Sequence, residues 1–332
     1  MRHVFLCLDG HACGNPVRLV TGPLPFLSGT TIGEKRADFM ARFDWIRRSL
    51  MFEPRGHDMM SGAMFYPPCT TDADASILFI ETSGCLPMCG HGTIGALTMA
   101  LENGVFNPAD RNRVKLDTPA GRIEAEIDWQ AGYVAGVRIR NVASYLAATG
   151  LILEIPGWRT ISVDIAYGGN YYAIIEPQPG YADLDDLTAA DILRLSPMVR
   201  AAANEAVTLA HPEDRRVCRV SHVLWAGRPR DPKAHARNAV FYGMRALDRS
   251  PCGTGTSARM AQLAARGELK PGDEFVHESY IGSLFEGRLE SATTVDGCAA
   301  IRPSIKGWAI QTGVNTIWVD ERDPYAGGFT VG

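Results

Sequence analysis

Two stretches of the chain, MCGHGTIGALTMALENGVF (88–106) and PCGTGTSARMAQLAARGEL (251–269), repeat one pattern. Each carries Cys-Gly-x-Gly-Thr, then a helical run, then a glycine placed to end it, Gly104 or Gly267. Ile94, Leu97 and Leu101 share one face of the first run, and Met260, Leu263 and Ala264 share one face of the second. The flanks repeat as well. VKLDTPAGRIEAEI (114–127) and FVHESYIGSLFEGRLE (275–290) each read as two strands joined at a turn containing Gly121 or Gly282. GNPVRLV (14–20) and GGNYYAII (168–175) open the two halves with similar strands. Cys89 and Cys252 are 163 residues apart (252 − 89), about half of the 332-residue chain. The inference is a duplicated unit, its halves facing each other across a cleft. Strand-rich segments surround one strong helix per half, unlike the alternating rhythm of a doubly wound sheet. The predicted class is α+β: two pseudo-symmetric halves, each a β-rich, barrel-like layer around a central helix. The expected boundaries are 1–150, joined by about 305–332, for the half with Cys89, and 151–304 for the half with Cys252.

The composition, 46% hydrophobic and 21% charged, suits a globular protein, and the net charge of −4 gives no basic field for nucleic acid. No apolar run approaches the length that crosses a bilayer, and MRHVFLCLDGHACGN reads as a first strand with no cleavage signal. Eight cysteines spread thinly over such a chain point to a reduced, cytoplasmic setting. A homodimer is carried as an expectation.

The chemistry follows from placing each Cys-Gly-x-Gly-Thr at a helix N-terminus. The unpaired amides and positive dipole end favour an anion, and glycine lets the backbone approach it. A carboxylate held around Gly90-His91 and Gly253-Thr254 fits. The same field is expected to lower a cysteine pKa to roughly 3.5–7.5, giving thiolate at neutral pH. Two such helices aimed at one cleft would put two thiols on opposite sides of one ligand. A thiolate on one face and a thiol on the other are the parts needed to invert the stereocentre of an amino acid. No lysine motif for a Schiff-base cofactor is present, so no cofactor is expected.

MCGHGTIG and DRSPCGTGTSA resemble the two signature motifs of the proline racemase superfamily, whose fold is shared with diaminopimelate epimerase. DGHACGNPVRLV, LMFEPRGHDMMSG, FIETSGCLPMCGHGTIG, HARNAVFYG and PGDEFVHESYIGSLFEGR are similar to the 4-hydroxyproline 2-epimerase branch, over nearly the whole chain. The resemblance implies a cofactor-independent epimerase interconverting trans-4-hydroxy-L-proline and cis-4-hydroxy-D-proline, with proline racemase as the alternative. It implies that Cys89 and Cys252 are the two acid/base catalysts. Backbone groups at Gly90, His91, Gly253 and Thr254 would bind the substrate carboxylate, and His91 and Asp248 the ring nitrogen. In the related 3-hydroxyproline dehydratases a threonine replaces the second cysteine, so Cys252 favours epimerisation.

Blander readings compete. Cys85, Cys89 and His91 could be drawn as a zinc site, yet no second Cys/His pair has metal spacing and Pro87 argues for a turn, so no metal is expected. Cys85 and Cys89 lack the spacing of a dithiol redox motif. Asp248 could be a turn residue and His91 a helix cap. His222, in VSHVLWAG, is a strand histidine that lines the pocket if the segment runs beside the Cys252 loop. His57 and Asp58 could be an outer shell or an active-site loop, and Arg55, Gly56 and Ser61 are equally consistent with a turn. Cys7, Cys13, Cys69, Cys218 and Cys298 have no duplicate partner and are read as inert.

Overall fold

The structure is a computed structural model that describes residues 1–331. It is a mixed α+β, strand-rich fold whose contacts divide the chain into two compact units, 1–139 with the segment from Gly307 onward, and 140–306.

The first unit runs β1 (Arg2–Ala12), β2 (Asn15–Gly22), α1 (Ile32–Arg42), α2 (Asp44–Met51), β3 (Ser61–Tyr66), β4 (Ala75–Glu81), β5 (Gly84–Leu86), α3 (Gly90–Glu102), β6 (Arg113–Thr118), β7 (Gly121–Gln130) and β8 (Tyr133–Arg140). In the second come β9 (Tyr145–Glu154), β10 (Thr160–Tyr167), β11 (Tyr171–Ile175), α4 (Ala189–Ala206), β12 (Val220–Gly227), β13 (Ala236–Tyr242), β14 (Ala246–Leu247), α5 (Gly253–Ala265), β15 (Glu274–Glu278), β16 (Leu284–Val295) and β17 (Cys298–Gly307). β18 (Ala309–Asp320) then returns to the first unit.

The two units share one topology. In the first, β18, β1 and β2 are antiparallel neighbours, β2 pairs parallel with β3, β3 antiparallel with β4, β4 parallel with β6, and β6 antiparallel with β7. In the second, β9, β10 and β11 are antiparallel neighbours, followed by parallel β12, antiparallel β13, parallel β15 and antiparallel β16. β18 is thus the counterpart of β9. This corrects the expected boundary at 150. Residues 145–154 pair with β10, so the second unit starts before them, and the first obtains the equivalent strand from the far end of the sequence.

α3 packs on β1, β2, β3 and β18, and α5 packs on β9, β10, β11 and β16. Both are buried all round over most of their length, from Gly90 to Ala100 and from Gly253 to Leu263. The one-faced pattern read from the sequence is therefore too narrow. A sheet wrapped about a helix buries every side of it. Small residues permit this: a Cβ at Gly95 would lie 2.8 Å from the Val17 side chain on β2. Gly104 and Gly267 follow the helix ends with φ of +64° and +76°, conformations that suit glycine. No helix among the described residues is long and apolar enough to cross a membrane.

Candidate active site

The capping of the helices separates the peripheral ones from the central ones. α1 and α4 begin with capping boxes, Thr31 with Glu34 and Thr188 with Asp191. On α3 and α5 the N-cap residues are Cys89 and Cys252; neither caps through its side chain, and neither first turn holds an acid. The amide end of each central helix therefore keeps its field for an anion.

Cys89, His91 and Asn15 form a buried cluster in the first unit. Both ring nitrogens of His91 lie 3.7 Å from Cys89 Sγ. Asn15 Nδ2 lies 2.9 Å from His91 Nε2. An amide nitrogen only donates, so Nε2 accepts and the ring proton sits on Nδ1, within donating reach of the sulfur. Gly90 and His91 open α3 directly after the thiol.

The second unit builds a different surround for the same motif. Cys252 Sγ lies 3.2 Å from the Tyr172 hydroxyl and 3.8 Å from Thr254 Oγ1, and those two oxygens are 2.5 Å apart. Asn170 Nδ2 donates to Thr254 Oγ1 at 3.4 Å. Asn170 is to this cluster what Asn15 is to the first, since both reach the residue two places after the cysteine. Asp248 is buried on the same loop, where its Oδ1 accepts from the amide and hydroxyl of Ser250 at 2.8 Å. Ser250 Oγ in turn accepts from the Cys252 amide at 3.1 Å. His222, buried on β12, packs its ring 4.7 Å from that of Tyr172, and its Nδ1 lies 2.7 Å from Ser221 Oγ. The structure thus gathers His222, Asp248, Gly253 and Thr254 about Cys252, and Gly90 and His91 about Cys89.

The backbone differs too. Cys89 is relaxed at φ −141°, whereas Cys252 is held at φ +63°, which a non-glycine residue rarely adopts. Three hydrogen bonds fix it there: the one from its own amide to Ser250, one from Thr256 N to its carbonyl at 2.8 Å, and one from Asn238 Nδ2 to the Pro251 carbonyl at 2.7 Å.

The second glycine of each motif has a steric reason. A Cβ at Gly92 would lie 2.9 Å from Cys89 Sγ, and one at Gly255 3.2 Å from both Cys252 Sγ and a Tyr172 ring carbon. Each thiol folds back over its own helix's first turn, so that a methyl there would push the sulfur aside.

The expected low thiol pKa is not found at Cys252. Burial pushes it well up, and the Asp248 carboxylate adds to this. Hydrogen bonding from Tyr172 opposes the rise without overcoming it. In the ligand-free protein Cys252 is a protonated thiol, because desolvation outweighs the helix end. Cys7 and Cys85 are also pushed up, to about 12, by burial. What distinguishes Cys252 from these two is its array of donors. Among the described residues no group of three or more His, Cys, Asp or Glu is gathered as a metal site requires.

The proline racemase family matches residues 7–330. The chain belongs to the proline racemase family. This family member is an isomerase acting on amino acids. It is 60% identical over 330 residues to a Brucella suis biovar 1 protein named 4-hydroxyproline 2-epimerase, with 99% of each chain covered. A hydroxyproline epimerase from Agrobacterium vitis, solved with bound trans-4-hydroxy-L-proline, matches with a TM-score of 0.90 at 28% identity, covering 99% of this chain and 95% of that one. A Bacillus anthracis protein of the PhzF family shares the proline racemase fold at 15% identity, with a TM-score of 0.58 and coverage of 95% and 99%.

Reading the sequence missed Asn15, Asn170 and Tyr172. The repeated Gly-Asn at 14–15 and 169–170 was the available signal for the asparagines. Tyr172 has no such signal, since Val17 stands two residues after Asn15 where Tyr172 stands two after Asn170.

Proposed function

We propose that the protein is a 4-hydroxyproline 2-epimerase, interconverting trans-4-hydroxy-L-proline and cis-4-hydroxy-D-proline through Cys89 and Cys252 without a cofactor, in a reduced, cytoplasmic setting. The observation that carries this reading is the pair of cysteines, each at the uncapped end of a buried helix, in a chain 60% identical to proteins of that name. The substrate carboxylate accepts from amides at Gly90, His91, Gly253 and Thr254. His91 and Asp248 hold the ring nitrogen, and His222 lines the pocket. One cysteine, as thiolate, takes the α-proton: the Cα–H bond breaks, an S–H bond forms, and the electron pair spreads into the carboxylate. Helix-end amides stabilise that charge. The other cysteine gives its proton to the opposite face, where a new Cα–H bond forms. The enzyme leaves the turnover with the two protonation states exchanged, ready for the reverse reaction.

Substrate binding is what makes a buried thiol usable as a base. A cationic ring nitrogen brought beside the sulfur favours thiolate over thiol, opposing the desolvation that burial imposes. The test is deuterium exchange at Cα in heavy water with Cys89→Ser and Cys252→Ser. Each variant should lose exchange by about 10²-fold or more, the scale of a positioned acid or base. Full exchange in both would sink the two-thiol scheme. Chiral chromatography with proline beside 4-hydroxyproline separates this reading from proline racemase.

A further inference from the structure

We infer that Tyr172 is a positioning residue for Cys252, its hydroxyl forming with Thr254 a reversible hydrogen-bond relay that serves the sulfur both with and without its proton. The tyrosine is on β11, 80 positions before the cysteine, and is fully buried. Its oxygen is within hydrogen-bond reach of Cys252 Sγ at 3.2 Å and of Thr254 Oγ1 at 2.5 Å.

Counting hydrogens gives two arrangements. With Cys252 as thiolate, Tyr172 donates to sulfur and Thr254 donates to Tyr172. With Cys252 as thiol, S–H donates to Tyr172, Tyr172 donates to Thr254, and the Thr254 hydroxyl hydrogen turns to the sulfur 3.8 Å away. In the second state Thr254 Oγ1 also accepts from Asn170 Nδ2, so its lone pairs are used. No proton crosses the relay, and only O–H and S–H bonds rotate. A base that must be regenerated as an acid in the same turnover needs a surround that satisfies both forms. A fixed donor would favour thiolate alone.

The relay belongs to one half only. Val17 stands at the matching position of the first unit and packs on Gly95, while Cys89 has His91 beside it instead. The other groups facing the Cys252 cluster are the carboxylate of Asp248 on the preceding loop, which raises the thiol, and the imidazole of His222, which lies against the Tyr172 ring.

The inference rests on the proposed reading only in taking Cys252 as a proton carrier, and its test needs no turnover. Ligand-free protein is alkylated with iodoacetamide across a pH series, and Cys89 and Cys252 are followed separately by peptide mass spectrometry. In Tyr172→Phe the Cys252 curve should move up by about one pH unit, roughly tenfold slower labelling at a fixed pH, because a donor to the thiolate is lost. The Cys89 curve should stay in place. An unmoved Cys252 curve, or both curves moving together, overturns the inference. If Tyr172→Phe fails to fold, 3-fluorotyrosine at position 172 keeps the packing and strengthens the donor. The Cys252 curve should then move down, and no movement or a rise overturns the inference. The cysteine-to-serine exchange experiment reports on the two-thiol scheme independently, so the failure of one is distinguishable from failure of the other.

Discussion

Gly92 and Gly255 each stand three residues after a thiol and leave it room. Alanine at Gly92 would place a methyl 2.9 Å from Cys89 Sγ, and the sulfur, as a side-chain tip, is the atom free to move. The fold should tolerate this while the chemistry does not. Displacing a reacting group by about 1 Å costs on the order of 100-fold in rate. Gly92→Ala is therefore expected to lower kcat about 100-fold with a thermal midpoint near that of the parent, read by steady-state kinetics and calorimetry. Gly255→Ala, with contacts of 3.2 Å, should cost less. Parent-like kcat in Gly92→Ala would mean the sulfur is not confined as described.

Between elements, a lack of space costs stability and not chemistry. A Cβ at Gly168, in the turn joining β10 and β11, would lie 2.2 Å from the Thr254 carbonyl oxygen and 2.5 Å from the Ala258 nitrogen. Both are α5 backbone, which cannot step aside. Gly168→Ala should destabilise the second unit by about 2 kcal/mol or more, a fall of roughly 4–8 °C in its thermal midpoint, visible by calorimetry. An unchanged midpoint would show that the turn can lift off the helix. These elements also mark what the sequence made legible. The helices starting at Gly90 and Gly253, their ends before Gly104 and Gly267, and the turns at Gly121 and Gly282 are local signals, each written within a few residues. The all-round burial of α3 and α5 was not legible, because it depends on strands far along the chain. Nor were Tyr172, Asn238 and His277, which meet the Cys252 loop from strands 80, 14 and 25 residues away. Arg259, Gln262 and Arg266 look like a polar face of α5. In the structure they are tied into a network with Asp164 and Glu176.

At the scale of the whole molecule, the buried polar groups link stability to pH. His277 is fully buried, and its Nδ1 lies 2.9 Å from Thr256 Oγ1 and 3.1 Å from Asn238 Nδ2. Burial, then repulsion from Arg259, lowers its pKa from 6.5 to about 3. Between those values the unfolded chain binds a proton that the folded protein refuses, so stability falls as pH drops through that window. His277 alone should cost about 2 kcal/mol between pH 7 and pH 5. His277→Gln should flatten that part of the urea-denaturation profile even though it lowers stability at pH 7. An unchanged slope would mean that the imidazole is already charged in the fold. The units also differ in how they are strung. β9 precedes the second unit's other strands, whereas its counterpart β18 follows every residue of both units' remaining strands. A chain growing on the ribosome can therefore complete the second unit first. The first must keep β1 and the apolar length of α3 without β18 while residues 140–308 are made, roughly 10–40 s at about 5–20 residues per second. For that interval the older half of the nascent protein is the one in need of a chaperone.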